Sequence, residues 1–386
     1  MQYRLFNEQA VAGEIFHFDL MLVDIADLVL AGDSLIDPEN FNVELPSDPR
    51  HICGRILSAF MEKAIEEYLN LYRLVCQNRC RIRRTLLQAL PILRGLEVEG
   101  EEADRELRKH AASLSVRMKG TQSHRMEDFS PLSSWTYFHR LRVTAWTIQL
   151  GFELEIYLPH ELSRMYKFLS WVSQRLCDHL QHITSFVKER QRTLRTGAQR
   201  TACTTSLHFL ASLDDTAKAT THLAEALHKL CHITSRTQLT PPPRDEATFA
   251  SRTGLYEARM KPYLSVSTPD IPSLEVFEHA ERALGQLSID ACLDAVAEDV
   301  KQAKLFLAAL KVYTAEQGKF LGTEVEWKRE IKQMETTCVA IAVTGSQLRR
   351  LRAKFEGDDL RGLVLCSFER KYHVWWAIPQ LKEVAG

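Results

Sequence analysis

The residues richest in ligand chemistry lie near the middle of the chain, where His222, His228, Cys231 and His232 crowd one short stretch. His228 and His232 are four apart, so a helix would put both imidazoles on one face, a spacing that suits zinc. The residues between them are Lys229, Leu230 and Cys231, without the glutamate that acts as general base in helical zinc peptidases. The stretch is therefore expected to be ordinary, partly exposed helix, and no metal is assigned. Cys76 and Cys80, also four apart, continue an apolar face and are expected in a core. Glu153 and Glu155 would point to one side of an extended segment, roughly 6–7 Å apart, a separation found in hydrolytic carboxylate pairs. Nothing around them resembles a sugar site, and their expected role is ion pairing or helix-end electrostatics with Arg140, Arg142 or His160.

Basic residues gather in three places: Arg79, Arg81, Arg83 and Arg84; Lys188, Arg190, Arg192, Arg195 and Arg200; and Arg349, Arg350, Arg352 and Lys354. Such clusters can meet RNA phosphates, or they can complement the negative ends of helices. Aromatic groups recur as Trp135, Tyr137 and Phe138, then Tyr166, Phe168 and Trp171, then Tyr372, Trp375 and Trp376. Most are expected in a core. The adjacent pair Trp375 and Trp376 cannot both face one core, so one of them is a candidate anchor.

Helices must position these groups. Apolar residues return every three to five positions over residues 52–90 and again over 162–183, each series keeping to one helical face. Residues 289–312 are rich in Ala and Leu, and Thr323 with Glu326 makes a capping box for a helix running to about Phe355. Breaks are read at 32–50, at 124–131 with Ser130 and Pro131 as helix start, at the prolines of 237–246, and at 260–273. The alternation from Phe152 to Leu158 reads as an extended connector, led by Gly151, between two helices. No repeat with a period of 33–47 residues is visible.

These features predict an all-α, multi-helix scaffold of antiparallel amphipathic helices with little or no sheet. The regions are 1–125, a central part at 126–236, a proline-rich linker at 237–247 and a C-terminal part at 248–386. A net charge of −1 with 26% charged residues argues against a dedicated nucleic-acid binder. No apolar run is long enough for a membrane span, and MQYRLFNEQ does not read as a secretory signal. Nine cysteines, with no CxxC pair, suit reduced thiols in the cytoplasm.

Three segments carry a resemblance: PLSSW at 131–135, IQLGFELEIYLPHEL at 148–162, and the aromatic stretch around Tyr166 and Trp171. With KYHVWW at 371–376, they resemble the large auxiliary subunit of the NatC N-terminal acetyltransferase complex, the Mak10 family. The resemblance implies a non-catalytic scaffold. Its catalytic partner would move acetyl from acetyl-CoA to nascent chains that begin with Met and an apolar residue. A coenzyme A loop of the form Q/R-x-x-G-x-G/A is approached at Arg117–Gln122 and Arg282–Leu287, and both fail at the last position. No catalytic or cofactor-binding residue and no cofactor are therefore assigned.

The candidate interaction surface is Trp135, Tyr157, Tyr166, Trp171, Trp375 and Trp376. Lys188, Arg190, Arg192 and Arg195 are the candidates for facing ribosomal RNA. The implied partners are the catalytic acetyltransferase subunit and the ribosome, with no membrane. The family's N-terminal acidic-methionine motif, of the type E-I-M-D-P-K-M-D, is unmatched, which leaves the small Sm-like subunit open and suggests a truncated or divergent member. The rival readings are a generic α-helical adaptor and a helical RNA-binding module.

Overall fold

A computed structural model describes residues 49–78, 82–117, 131–153, 157–193, 197–240, 274–321, 324–355, 359–369 and 375–384. Among them, eight helices hold more than half of the chain: α1 Pro49–Asn78, α2 Ile82–Arg117, α3 Pro131–Glu153, α4 Leu162–Thr193, α5 Gly197–Arg236, α6 Leu274–Gln286, α7 Ile289–Leu321 and α8 Glu324–Lys354. Strands β1 Val364–Glu369 and β2 Ile378–Glu383 form one antiparallel pair, with Val364 opposite Glu383 and Glu369 opposite Ile378. The predicted all-α class holds, with this hairpin as the sheet of the described residues.

Two compact units divide the chain. One comprises residues 1–144, 182–205 and 265–267; the other comprises 145–181, 206–264 and 268–386. The division falls inside α3, α4 and α5, whereas the sequence regions were bounded at loops.

In the first unit, Leu57 and Leu96 would stand roughly 58 Å apart on one continuous helix at 1.5 Å per residue. They instead share an apolar cluster with Phe60, Leu71, Leu93 and Trp135. The chain therefore reverses between α1 and α2, inside the stretch 52–90 that reads as one face. Both helices keep the same apolar period, and residues 79–81, outside the described residues, include no glycine or proline that would signal a break in the sequence.

In the second unit, α7 and α8 form an antiparallel pair. Three ion pairs set its register: Arg352 with Asp290 at 2.7 Å, Arg349 with Asp294 at 2.5 Å, and Lys311 with Glu335 at 2.5 Å. Helix α8 ends where the sequence predicts, while its proposed cap Thr323 lies outside the described residues. Strand β2 rests on α8, with Thr344 Oγ1 donating to the Pro379 carbonyl at 2.8 Å. Helix α5 stops at the predicted break: Gln238 turns left-handed (φ 58°), and the Leu239 and Thr240 amides donate to the Thr234 carbonyl. The prolines that follow it lie outside the described residues.

Candidate functional site

PLSSW opens α3 at Pro131, where the missing N–H leaves nothing unpaired. The next two amides, Leu132 N and Ser133 N, donate to the Asp104 carboxylate on α2 at 3.2 and 2.9 Å, and Ser133 Oγ donates at 2.9 Å. A carboxylate at a helix N-terminus satisfies orphan donors and complements the dipole. Burial pushes the Asp104 carboxyl above the usual carboxylate range, against the pull of the Ser133 and Leu132 donors. Gly100, one turn away, permits this approach, because a Cβ there would stand 2.9 Å from Ser133 N. One further turn along, Glu97 accepts from buried Arg140 at 2.6 and 3.2 Å and from Arg94 at 2.8 Å. Glu97, Gly100 and Asp104 thus make one face of α2 into a seat for α3. Sequence reasoning missed all three. The signal was their spacing of three and four, which is informative only once α3 is known to lie there.

Of the partners expected for Glu153 and Glu155, Arg140 is therefore taken by Glu97. Glu153 ends α3 in helical backbone, which removes the extended carboxylate geometry, and Glu155 lies outside the described residues.

Gly151 is also helical rather than the head of a connector. Its constraint is space: a Cβ would stand 2.1 Å from Tyr157 Oη, so α3 can pass the Tyr157 ring only as glycine. Phe152 meets Tyr157 edge-on at 5.1 Å and stacks on Tyr166 at 4.3 Å, and Tyr166 stacks on Trp376 at 6.1 Å. The Tyr166 hydroxyl donates to the Ala377 carbonyl at 2.9 Å and accepts from the Ala377 amide at 2.8 Å. Burial pushes that hydroxyl well above the ordinary tyrosine range. The central resemblance segment and the C-terminal one therefore meet across 211 residues of sequence.

This placement corrects most of the proposed contact surface. Trp135, Tyr157, Tyr166 and Trp376 are buried in the chain's own core, while Trp171 and Trp375 are half-buried. The adjacent tryptophans divide as alternation requires, with Trp376 inward. The Arg175 guanidinium lies 5.1 Å from the centre of the Trp171 ring.

A relay of charges ties α4, α5 and α7 together. Lys167 and Ser170 donate to Glu225 at 2.5 and 2.6 Å, Lys229 bridges Glu225 at 3.3 Å and Asp299 at 2.5 Å, and His222 lies 3.2 Å from Asp299. Burial alone would raise the Glu225 carboxyl, but Lys167 and Lys229 override it and hold it at about 2. His228, three residues from Glu225 on the same helix, is held by Ser163. Its Nδ1 lies 2.9 Å from the Ser163 carbonyl, which can only accept, so Nδ1 carries the proton. Burial holds the imidazole down at about 4, neutral near pH 7.

The His/Cys stretch is helix, as the sequence suggested; His222 and His232 are partly exposed, while His228 and Cys231 are buried instead, and His222 and His228 serve separate contacts. Among the described residues no group of three His, Cys, Asp or Glu side chains could hold a metal ion. Burial pushes the Cys177 thiol up to about 12 and those of Cys338 and Cys366 to about 11, which removes their nucleophilic form.

Of the proposed RNA-facing residues, Lys188 and Arg192 are exposed, while Arg195 and the Arg190 side chain lie outside the described residues. The third basic cluster is committed internally: Arg349, Arg350, Arg352 and Lys354 pair with Asp294, Glu383, Asp290 and Glu383 respectively.

The arrangement offers buried locks between helices, the chemistry of a rigid framework. A sequence model described as "NAA35-like, TPR repeats" matches residues 1–379. N-alpha-acetyltransferase 35, NatC auxiliary subunit, of Gallus gallus is 28% identical over 120 residues, covering 31% of this chain and 15% of that protein; the Homo sapiens protein gives the same identity and coverage. A chain in the crystal structure of the NatC complex bound to CoA superposes with a TM-score of 0.60 at 15% identity, over 96% of this chain and 51% of that one. A chain in the complex bound to Gag peptide and CoA gives 0.57 at 16%, over 86% and 48%. These structural likenesses establish the fold, and the chain spans about half the length of the solved chains it matches. Tetratricopeptide units run about 34 residues per helix pair; here α1, α2, α7 and α8 are single helices of 30, 36, 33 and 31 residues. A short repeat period therefore has no pair of short helices to mark it in the sequence.

Proposed function

The chain belongs to the NAA35-like family, and on that premise we propose that it is a non-catalytic auxiliary subunit of a NatC-type N-terminal acetyltransferase complex. The catalytic acetyltransferase is a separate chain, which transfers acetyl from acetyl-CoA to nascent N-termini that begin with Met and an apolar residue. This chain holds and shapes that enzyme in the cytoplasm. The observation that carries the reading is the lock between Tyr166 and the Trp376–Ala377 main chain, which joins the two stretches of resemblance. A subunit that positions another must resist bending, and buried long-range locks supply that stiffness.

Half-buried Trp171 and Trp375 are the remaining aromatic candidates for contact with the enzyme. Exposed Lys188 and Arg192, with Arg190 and Arg195, supply positive charge toward the ribosome. The small Sm-like subunit is a further candidate partner.

Co-expression of the full chain with a NatC-type catalytic subunit tests the reading. The two should co-elute, and a Met-Leu peptide should be acetylated only when the catalytic subunit is present. Turnover by this chain alone, or failure to co-elute, overturns the proposal. Changing Arg190, Arg192 and Arg195 to Glu should weaken ribosome co-sedimentation most visibly at low salt and leave co-elution intact. Unchanged sedimentation would mark the cluster as a solvated helix face.

A further inference from the structure

The outer side of the α7–α8 pair carries large apolar side chains in the open. Leu305 and Val312 on α7 are 57% and 63% exposed, and Val339 and Val343 on α8 are 54% and 49% exposed. The ion pairs Lys311–Glu335 and Arg349–Asp294 hold the two helices in antiparallel register, and of the four apolar residues Leu305 borders the groove between them. A groove of about 450 Å³ runs along the same side, lined in part by Val300, Leu305 and Ile341. Ala297, Ala342 and Gly345 keep it open, and a Cβ on Gly345 would come no closer than 4.0 Å to Leu293. Lys301, Lys304 and Arg349 line it as well, and no carboxylate does. The carboxylates that meet Lys301 and Arg349, Glu298 and Asp294, are exposed and outside that lining.

We propose that this groove receives an acidic amphipathic helix of a protein partner. An apolar ridge at i, i+3, i+4 and i+7 would cover Leu305 and fill the space above Ala297, Ala342 and Gly345. Carboxylates on the flank of that ridge would reach Lys301 and Lys304, while Arg349 stays with Asp294, a complementary arrangement that sets register and suppresses wrong partners. An extended peptide has nothing to pair with here, because the walls are helices whose main-chain groups are bonded internally. Nucleic acid would leave the apolar stripe uncovered.

The test uses the full chain and two fluorescent 18-residue peptides with the same leucine stripe, one flanked by Glu and the other by Lys, read by anisotropy. The Glu peptide should bind saturably at one per chain and at least tenfold tighter than the Lys peptide. The double change Lys301→Glu and Lys304→Glu should reverse that preference. Ala342→Trp, at an exposed position, should weaken binding at least tenfold while the melting temperature holds. Absence of saturable binding, equal binding of the two peptides, or indifference to both variants overturns the proposal. So does self-association that the peptide does not compete, or tight binding to phosphatidylserine vesicles that it does not displace.

Discussion

Removing one oxygen atom, with Tyr166→Phe, probes the lock on which the scaffold reading rests. The hydroxyl accepts from the Ala377 amide at 2.8 Å and donates to the Ala377 carbonyl at 2.9 Å, at a side chain with no solvent exposure. Phenylalanine keeps the ring between Phe152 and Trp376, so the aromatic contribution persists. What changes is the satisfaction of two buried main-chain groups. A buried polar group left without its partner costs about 1–3 kcal/mol, so two should cost at least about 2 kcal/mol. That is about thirtyfold in an opening constant. Because the chain has two compact units, the readout should be local: hydrogen exchange of the β1–β2 amides, alongside the melting temperature. Protection there should fall about thirtyfold while α1 and α2 keep theirs. Tyr166→Ala, which also deletes the stack, should cost more, about 3–5 kcal/mol. If Tyr166→Phe leaves hairpin protection within about threefold and the melting temperature unchanged, the hydroxyl is not a lock, and the argument from it fails.

Gly151→Val should destabilise the chain by about 1–3 kcal/mol through overpacking against Tyr157, with part of the loss recovered by adding Tyr157→Leu; an unchanged melting temperature would refute the close approach. Asp104→Ala should cost about 1–3 kcal/mol by stranding the Leu132 and Ser133 amides, and a melt like that of the parent would show that water replaces the carboxylate. The pH profile of stability follows from Glu225, held at about 2 against an ordinary 4.5, and His228, held at about 4 against an ordinary 6.5. Both values are depressed in the folded chain, so the unfolded chain takes up each proton first as pH falls. Melting temperature should decline from pH 6.5 to 4 through His228 and again from 4.5 to 2 through Glu225, and His228→Asn should flatten the upper slope. A parent profile that is flat between pH 6.5 and 4 would contradict the buried, neutral imidazole.

Helical class, the ends of several helices and the family likeness were legible in the chain, because each depends on neighbours a few residues away. A 3.6-residue apolar period, Pro131 at a first turn and the stop of α8 near Phe355 are local facts. Short-range chemistry failed where contacts ran long. The reversal between α1 and α2 has no glycine or proline to signal it in the sequence, and it shows only in the cluster that gathers Leu57 and Leu96. Gly151 reads as freedom to turn, yet it is needed for clearance from a ring six residues on. In the sequence Trp135, Tyr166 and Trp376 read as core and as candidate contact surface at once, because aromatic residues serve cores and interfaces alike. Their partners across the fold, the α1–α2 cluster in one unit and Phe152 with Ala377 in the other, assign them to the interior. Asp104 and Glu97 look like ordinary helix-surface carboxylates until α3 lies over them. Burial and pairing are properties of the assembled neighbourhood, and no spacing within one helix encodes which distant segment will supply it.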